Sequence, residues 1–303
     1  MPTGFSYKHI VPQLGMIAAM LLWASSFIAL KIAFRHYDPM VVIFGRMLVA
    51  SICFLAVSGR LRKGFNYHKG DYKPIFFMAF CEPCLYFLFE AKAILNTSAS
   101  QAGMVTAILP VLVMVAATVI LKEKVTQRNW IGGFLAVAGV CWLTLESAPA
   151  EDAPNPVLGN FYEFVAMVCA TGYVITLRHL TLRYSPFFLT AVQAVIGTIF
   201  YFPFLFLPGT ILPTNFNFPS GMAIFYLGAV ITLGAYGLYN YGLKYVSASK
   251  AAVYINLIPV FSVLLGWMVL DETFNRNQCI AAIIAMTGVW FSQHKTTERL
   301  VKG

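Results

Sequence analysis

Ten apolar runs follow one another along the chain, near 12–34, 39–58, 74–94, 98–121, 128–145, 158–181, 186–207, 220–243, 248–270 and 276–293. Each is close to the roughly 20 helical residues needed to cross about 30 Å of hydrocarbon. In lipid a backbone has no water to bond with, so such runs can satisfy their peptide groups only as helices or as a closed barrel. Composition points the same way, with 59% hydrophobic and only 11% charged residues, unlike a soluble domain. The sequence therefore predicts an all-α, multi-pass membrane protein whose first partner is the lipid bilayer. The joins carry the prolines, glycines and charges that the runs lack: Tyr37-Asp38-Pro39, RLRKGFNYHKGDYK and APAEDAPNP. The first run has no small-residue cleavage site and is followed by further runs, so it reads as a span rather than a signal peptide.

A formal net charge of +9 would suggest nucleic acid in a soluble protein, but its distribution argues otherwise. Of 21 basic residues, sixteen, including Arg60, Arg62, Lys63, Lys122 and Lys124, fall in alternate joins or the two ends. Four, Lys31, Arg35, Lys92 and Arg276, fall on the opposite side, and Arg46 lies within a run. The positive-inside rule then puts both termini in the cytoplasm. The basic stretches at 59–73 and HKTTERLVKG read as anchors on the anionic leaflet.

Two segments repeat. SASQAGMVTAILPVL at 98–112 and SASKAAVYINLIPVF at 247–261 align on adding 149, which also takes Glu123 to Glu272 and Gly139 to Gly288. A shift of 147 takes Pro39 to Pro186 and Arg46 to Gln193. Each half, 1–147 and 148–303, holds five runs, and five is odd. The second copy must therefore enter the membrane the other way up, an inverted repeat of the kind that secondary transporters use for alternating access. A duplicated bundle without transport function is the alternative.

The stretches LLWASSF, DPMVVIFGRMLVA, AKAILNTSASQAGMVTAILPVLVMVAATVILKEKVTQRNWIGGFLAVAGV and LKYVSASKAAVYINLIPVFSVLLGWMVLDETFNRNQCIAAIIAMTGV resemble the EamA-type members of the drug/metabolite transporter superfamily. The resemblance covers nearly the whole chain and extends to aromatic amino acid exporters. It implies a ten-helix carrier of the bacterial inner membrane, with a cavity walled mainly by the first, third, fourth, sixth, eighth and ninth helices. It also implies export of amino acids or related metabolites, with sugars, nucleosides or drugs as alternative cargo. The CEPC sequence at 81–84 departs from the apolar third span expected of such a protein.

Ionisable groups inside hydrocarbon are costly and invite a functional reading. Arg46 lies about 10 Å from the outer end of its helix and Glu82 about 12 Å from the inner end of the third, at 1.5 Å per residue. Glu82 is expected to exchange a proton in the transport cycle or to bind the amino group of a zwitterion. Arg46, with its forked guanidinium, suits a carboxylate. The structural alternative is a permanent pair of Arg46 with Glu82 or Glu90. Glu90 and Lys92 read as a solvated rim, and Glu123 and Glu272 as structural, with Thr126 and Asn275 capping the helices that follow.

Pro110 and Pro259 free the carbonyls of Thr106 and Ile255 and loosen their helices, so the turns before them, with Asn256, are expected to line the pathway. The helices that the resemblance assigns to the cavity contribute Trp23, Tyr86, Tyr173, Tyr236, Tyr239, Asn240 and Tyr254. An aromatic wall with few charges suits a small amphipathic solute better than a polyanion. The six cysteines all lie in apolar runs and read as buried thiols.

No HExxH, nucleophile elbow or phosphate-binding GxxxxGK[ST] loop occurs in the sequence. The reading is therefore a transporter rather than an enzyme, without cofactor, metal or nucleic-acid partner, and monomeric because one chain holds both halves. A facilitative, channel-like uniporter is the other transport reading, and a proton through Glu82 the coupling ion if there is one.

Overall fold

Long apolar runs can satisfy their peptide groups in lipid as helices or as a closed barrel, and helices are what form. The computed structural model describes residues 7–56, 70–120, 126–239 and 254–293. In chain order these give α1 (Tyr7–Phe34), α2 (Pro39–Ala56), α3 (Tyr72–Asn96), α4 (Ala99–Ile120) and α5 (Gln127–Leu145). They continue with α6 (Pro156–Leu180), α7 (Pro186–Tyr201, extended by a 3₁₀ turn at Phe202–Phe206), α8 (Phe218–Tyr239), α9 (Leu257–Leu270) and α10 (Arg276–Gln293). Among the described residues the only extended pairing is an isolated bridge between Ala150 and Ala153. Seven of these helices, α1 to α4 and α6 to α8, are long and apolar enough to cross a membrane, and α9 is a shorter apolar helix. Asn240, Glu123, residues 57–69 and the tail from 294 lie outside the described residues.

The helix starts follow local chemistry. Ser98 accepts from the Gln101 amide to open α4, and Asn155 with Pro156 opens α6. Thr126 and Asn129 cap each other's backbone at α5. Asn275 and Gln278 do the same at α10, at 2.8 and 2.9 Å. The two boxes stand 149 residues apart.

Packing relates the halves in the same register. A methyl group added at Gly139 would lie 2.5 Å from the Ala285 nitrogen and 2.8 Å from the Ala281 oxygen. One added at Gly288 would run into the Ala136 nitrogen and lie 2.7 Å from the Gly132 oxygen. Shifting either pair of contacts by 149 returns the other, so α5 and α10 cross at backbone contact through mutually equivalent residues. Small residues permit such an approach. Ser51 of α2 and Thr198 of α7, 147 apart, share a 3.0 Å hydrogen bond. Tyr37 receives a 2.7 Å bond from the Asn217 amide at the start of α8, and Tyr184, also 147 further on, donates a 3.0 Å bond to Asp71 at the start of α3.

The outward surface is apolar where water would demand polarity: Phe134, Ile199, Leu55 and Met268 are all exposed. Two sequence expectations need correction. Only Cys81 and Cys84 are buried; Cys141 and Cys279 are exposed on this apolar surface, and Cys53 and Cys169 are half-buried. Lys31 is not in an open join but buried in the last turn of α1, where its ammonium donates to the Asp152 carbonyl. A buried lysine keeps its charge at low cost only when such acceptors are supplied.

Candidate substrate and ion site

The third helix is broken where its sequence departs from a simple apolar span. Phe80–Leu85 form π-type turns, and Glu82 leaves the helical region altogether, with φ −145° and ψ 116°. Pro83 lacks the amide that would continue the ladder, which leaves carbonyls to be satisfied from elsewhere. Helix α7 supplies the donors: Gln193 Nε2 bonds the Glu82 carbonyl, and the Tyr201 hydroxyl bonds those of Pro83 and Cys84 at 3.2 and 2.5 Å. Gly197 lets α7 approach, since a methyl group there would lie 2.7 Å from the Pro83 ring and from Met47 Sδ. π-type turns often mark functional sites.

The break aims the Glu82 side chain at α8. Its carboxylate accepts a 2.6 Å hydrogen bond from Tyr236, whose ring stands edge-on to Trp23 at 5.2 Å. Tyr239 lies 5.1 Å from the same indole, and Tyr173 is buried in the cluster with Cys81 and Met78 that Tyr236 packs against. Four of the aromatic residues expected at a cavity thus gather with Glu82. Tyr254, like Trp23 and Tyr239, packs against the core cluster that joins α1 to Ile258 of α9, and Asn256 occupies the turn just before α9.

Arg46 sits beside this group, buried, with its guanidinium 4.0 Å above the Phe87 ring. Its ionic partner is Glu90 at 3.6 Å, not Glu82. Glu90 is therefore no solvated rim: it is 4% exposed and also accepts a 3.1 Å bond from Tyr86. Tyr86 and Glu90 stand four residues apart on the regular part of α3, one turn above another. Lys92 remains at the exposed edge, over the Tyr162 ring.

Thr106 lies apart from this cluster. Its hydroxyl donates to the Gly103 carbonyl at 2.6 Å, in a 3₁₀ turn, Thr106–Ile108, that comes just before Pro110. Pro259 falls in the first turn of α9. Glu272 holds two helices together, its two oxygens accepting from the amides of Ala99 and Ser100, both at 2.8 Å, and so capping α4. The chain reaches that position through Asp271 in the left-handed region, φ 55°.

Two features escaped the sequence reading. Glu163 of α6 is fully buried, and neither carboxylate oxygen has a hydrogen-bond partner. The signal for it was available, an acid inside an accepted apolar run. Near it, Asn160 donates to Gln101 and Thr144 at 3.1 and 3.0 Å and accepts from Thr97 at 2.7 Å, while Ser147 donates to Gln101 at 2.8 Å. No spacing rule foretells this network, because its members come from four helix ends. Among the described residues, no three His, Cys, Asp or Glu side chains gather closely enough to hold a metal ion. A pocket of about 530 Å³ lies between the end of α1 and residues 211–217, away from the charged cluster.

The model of the EamA-like transporter family matches the chain twice, over residues 12–145 and 157–292. An uncharacterized transporter of Archaeoglobus fulgidus is 28% identical over 276 residues, 91% of this chain and 95% of that one. Uncharacterized transporters YetK and YcxC of Bacillus subtilis are 22% and 26% identical, over 93% and 87% of this chain and 87% and 86% of theirs. A crystal structure 17% identical in sequence superposes with a TM-score of 0.61, covering 96% of this chain and 99% of its own, which speaks for the fold alone.

Proposed function

The chain belongs to the EamA-like transporter family, and on that premise we propose that it exports amino acids or related small metabolites across a bacterial inner membrane by alternating access. The observation that carries the cargo class is the meeting of opposite charges with an aromatic wall inside an apolar bundle. Arg46 offers a guanidinium to a carboxylate, and Glu82 an anion to an ammonium group, beside Tyr236, Trp23, Tyr239 and Tyr173. A zwitterion pairs with both signs at once and leaves no unmatched charge in hydrocarbon. Arg46 must exchange Glu90 for the cargo carboxylate, so binding trades one ion pair for another.

Two inverted five-helix halves are the second part of the proposal. Its support is the reciprocal contact of α5 with α10, the Ser51–Thr198 bond across equivalent positions, and the matched reach of Tyr37 and Tyr184. Inverted halves can exchange shapes, one state opening outward and the other inward. Pro110 and Pro259 are the points at which α4 and α9 bend. Ten spans put both termini in the cytoplasm, and one chain suffices as a monomer. Glu82 carries the coupling proton in this scheme.

The test is counterflow of a labelled amino-acid panel in proteoliposomes at two internal pH values, with wild type beside Glu82→Gln. Accelerated exchange of one solute, with pH dependence lost in the variant, is expected. No exchange across the panel moves the cargo to sugars, nucleosides or drugs, and a non-saturable leak sinks the carrier in favour of a uniporting channel.

A further inference from the structure

Three carboxyl groups and one guanidinium are buried in the same region: Glu82, Glu90, Glu163 and Arg46. If all were ionised, two negative charges would stand unmatched in a medium that tolerates none cheaply. Lys31, the other buried cation among the described residues, is engaged elsewhere with Asp152. Glu82 is held by Tyr236, and Glu90 by Tyr86 and Arg46. Glu163 has nothing on either oxygen, where buried polar groups are almost always bonded.

The groups facing it are few. Helix α3, packed along α6, carries Glu90 and Tyr86, whose hydroxyl bonds Glu90. Lys92 of α3 is turned to Tyr162 at the exposed edge. From α2 comes Arg46, spent on Glu90. Helix α4 carries no ionisable residue between Ala99 and Ile120. On α5, Arg128 is bound to the Phe291 carbonyl, Cys141 is exposed, and Glu146 at its end bonds Trp142 and Asn277.

One helical turn before Glu163, Asn160 joins Thr97, Gln101, Thr144 and Ser147, and Ser147 reaches the half-exposed end of α5. A polar network centred on Gln101 Oε1 thus runs from that end of the bundle to Asn160, one helical turn from Glu163.

We propose that Glu163 is a proton site distinct from Glu82, reached from the half-exposed end of α5 where Ser147, Gln101 and Asn160 gather polar groups. The proton comes from water at that end of the bundle, forms an O–H bond on the Glu163 carboxylate and returns to water there, while Glu90 stays ionised and keeps Arg46. Glu163 thereby adds a second titrating carboxyl to the transport cycle. Only its place in that cycle rests on the transporter reading above.

Infrared spectroscopy of the full-length protein in lipid tests it. A carboxylic-acid carbonyl component belonging to Glu163 is expected at neutral pH in wild type, missing in Glu163→Gln, shifted in Glu163→Asp and retained in Glu82→Gln. Transfer into heavy water should shift this band more slowly in Ser147→Ala, by roughly tenfold. A band unchanged in Glu163→Gln, or an exchange rate indifferent to Ser147, overturns the proposal or its route respectively. Proteoliposomes loaded with pyranine, given the same amino-acid panel, separate the two readings. If no solute exchanges but the band follows Glu163, the cargo reading fails and the proton site stands. If a solute exchanges with equal proton movement in wild type and Glu163→Gln, the proton site fails and the cargo reading stands.

Discussion

The two halves of the chain share a scaffold and differ in charge. Their last helices cross through equivalent glycines and alanines, their fifth helices open with matching capping boxes, and their third helices, α3 and α8, both contain π-type turns. The charges follow no such rule. Arg46 stands where the second half has Gln193, and Glu82 falls, in either register of the repeat, on Ala229 or Ile231. Glu163 of the second half falls on Leu14 or Met16 of the first. Equivalent positions keep the residues that hold helices together, and the ionisable groups stand singly. Under the alternating access proposed above, a symmetric frame would rock between two shapes, while a solute with different ends would need different groups to meet them.

The frame can be broken most severely at its closest contact. Gly288→Val should cost about 3 kcal/mol, the upper end for overpacking, because the added atoms meet backbone at Ala136 and Gly132 that cannot turn aside. Gly139→Val should cost the same if the halves are equivalent there. Thermal unfolding of the purified protein in detergent measures both, and unequal losses would show that the symmetry of contact is not one of energy.

Tyr236→Phe probes the charged side of the comparison. It removes a bond to a charged group, worth about 2 kcal/mol, from Glu82. Solute half-saturation should rise roughly tenfold or more, as 1.4 kcal/mol gives about one decade, with folding intact. A variant that melts early but binds normally would make Tyr236 a packing residue.

The caps come next. Thr126→Ala and Asn275→Ala should each lose about 1 kcal/mol, and a double variant should lose the sum, since the two stand at different helix starts. The smallest effect is expected for Ser51→Ala, about 0.6 kcal/mol as for an average hydrogen bond between membrane helices. Thr198→Ala should match it and add nothing further in combination, because both remove the same bond.

Much of this was legible along the chain. Apolar run length announces helices wherever lipid is the solvent, and the gapless repeat from Ser98 onwards identifies Gly139 and Gly288, or Thr126 and Asn275, as equivalents before any contact is known. Arg46 and Glu82 were visible because a charge in hydrocarbon is rare enough to be conspicuous alone. Glu90 was misjudged for want of depth: about two turns from the end of its helix, it reads as an edge residue until Arg46 and Phe87 are seen to close over it.

Class, helices, recurring segments and two of the buried charges can all be read along one chain, since they depend on local composition and on spacing. Who pairs with whom was settled by the packing of the helices. It gave Arg46 to Glu90 and Tyr236 to Glu82, seated Glu272 on the start of α4, and left Glu163 without a partner. Electrostatic pairing acts over a few ångströms between helices that are remote in sequence, so it is fixed by how the helices cross and by nothing in the spacing of the letters.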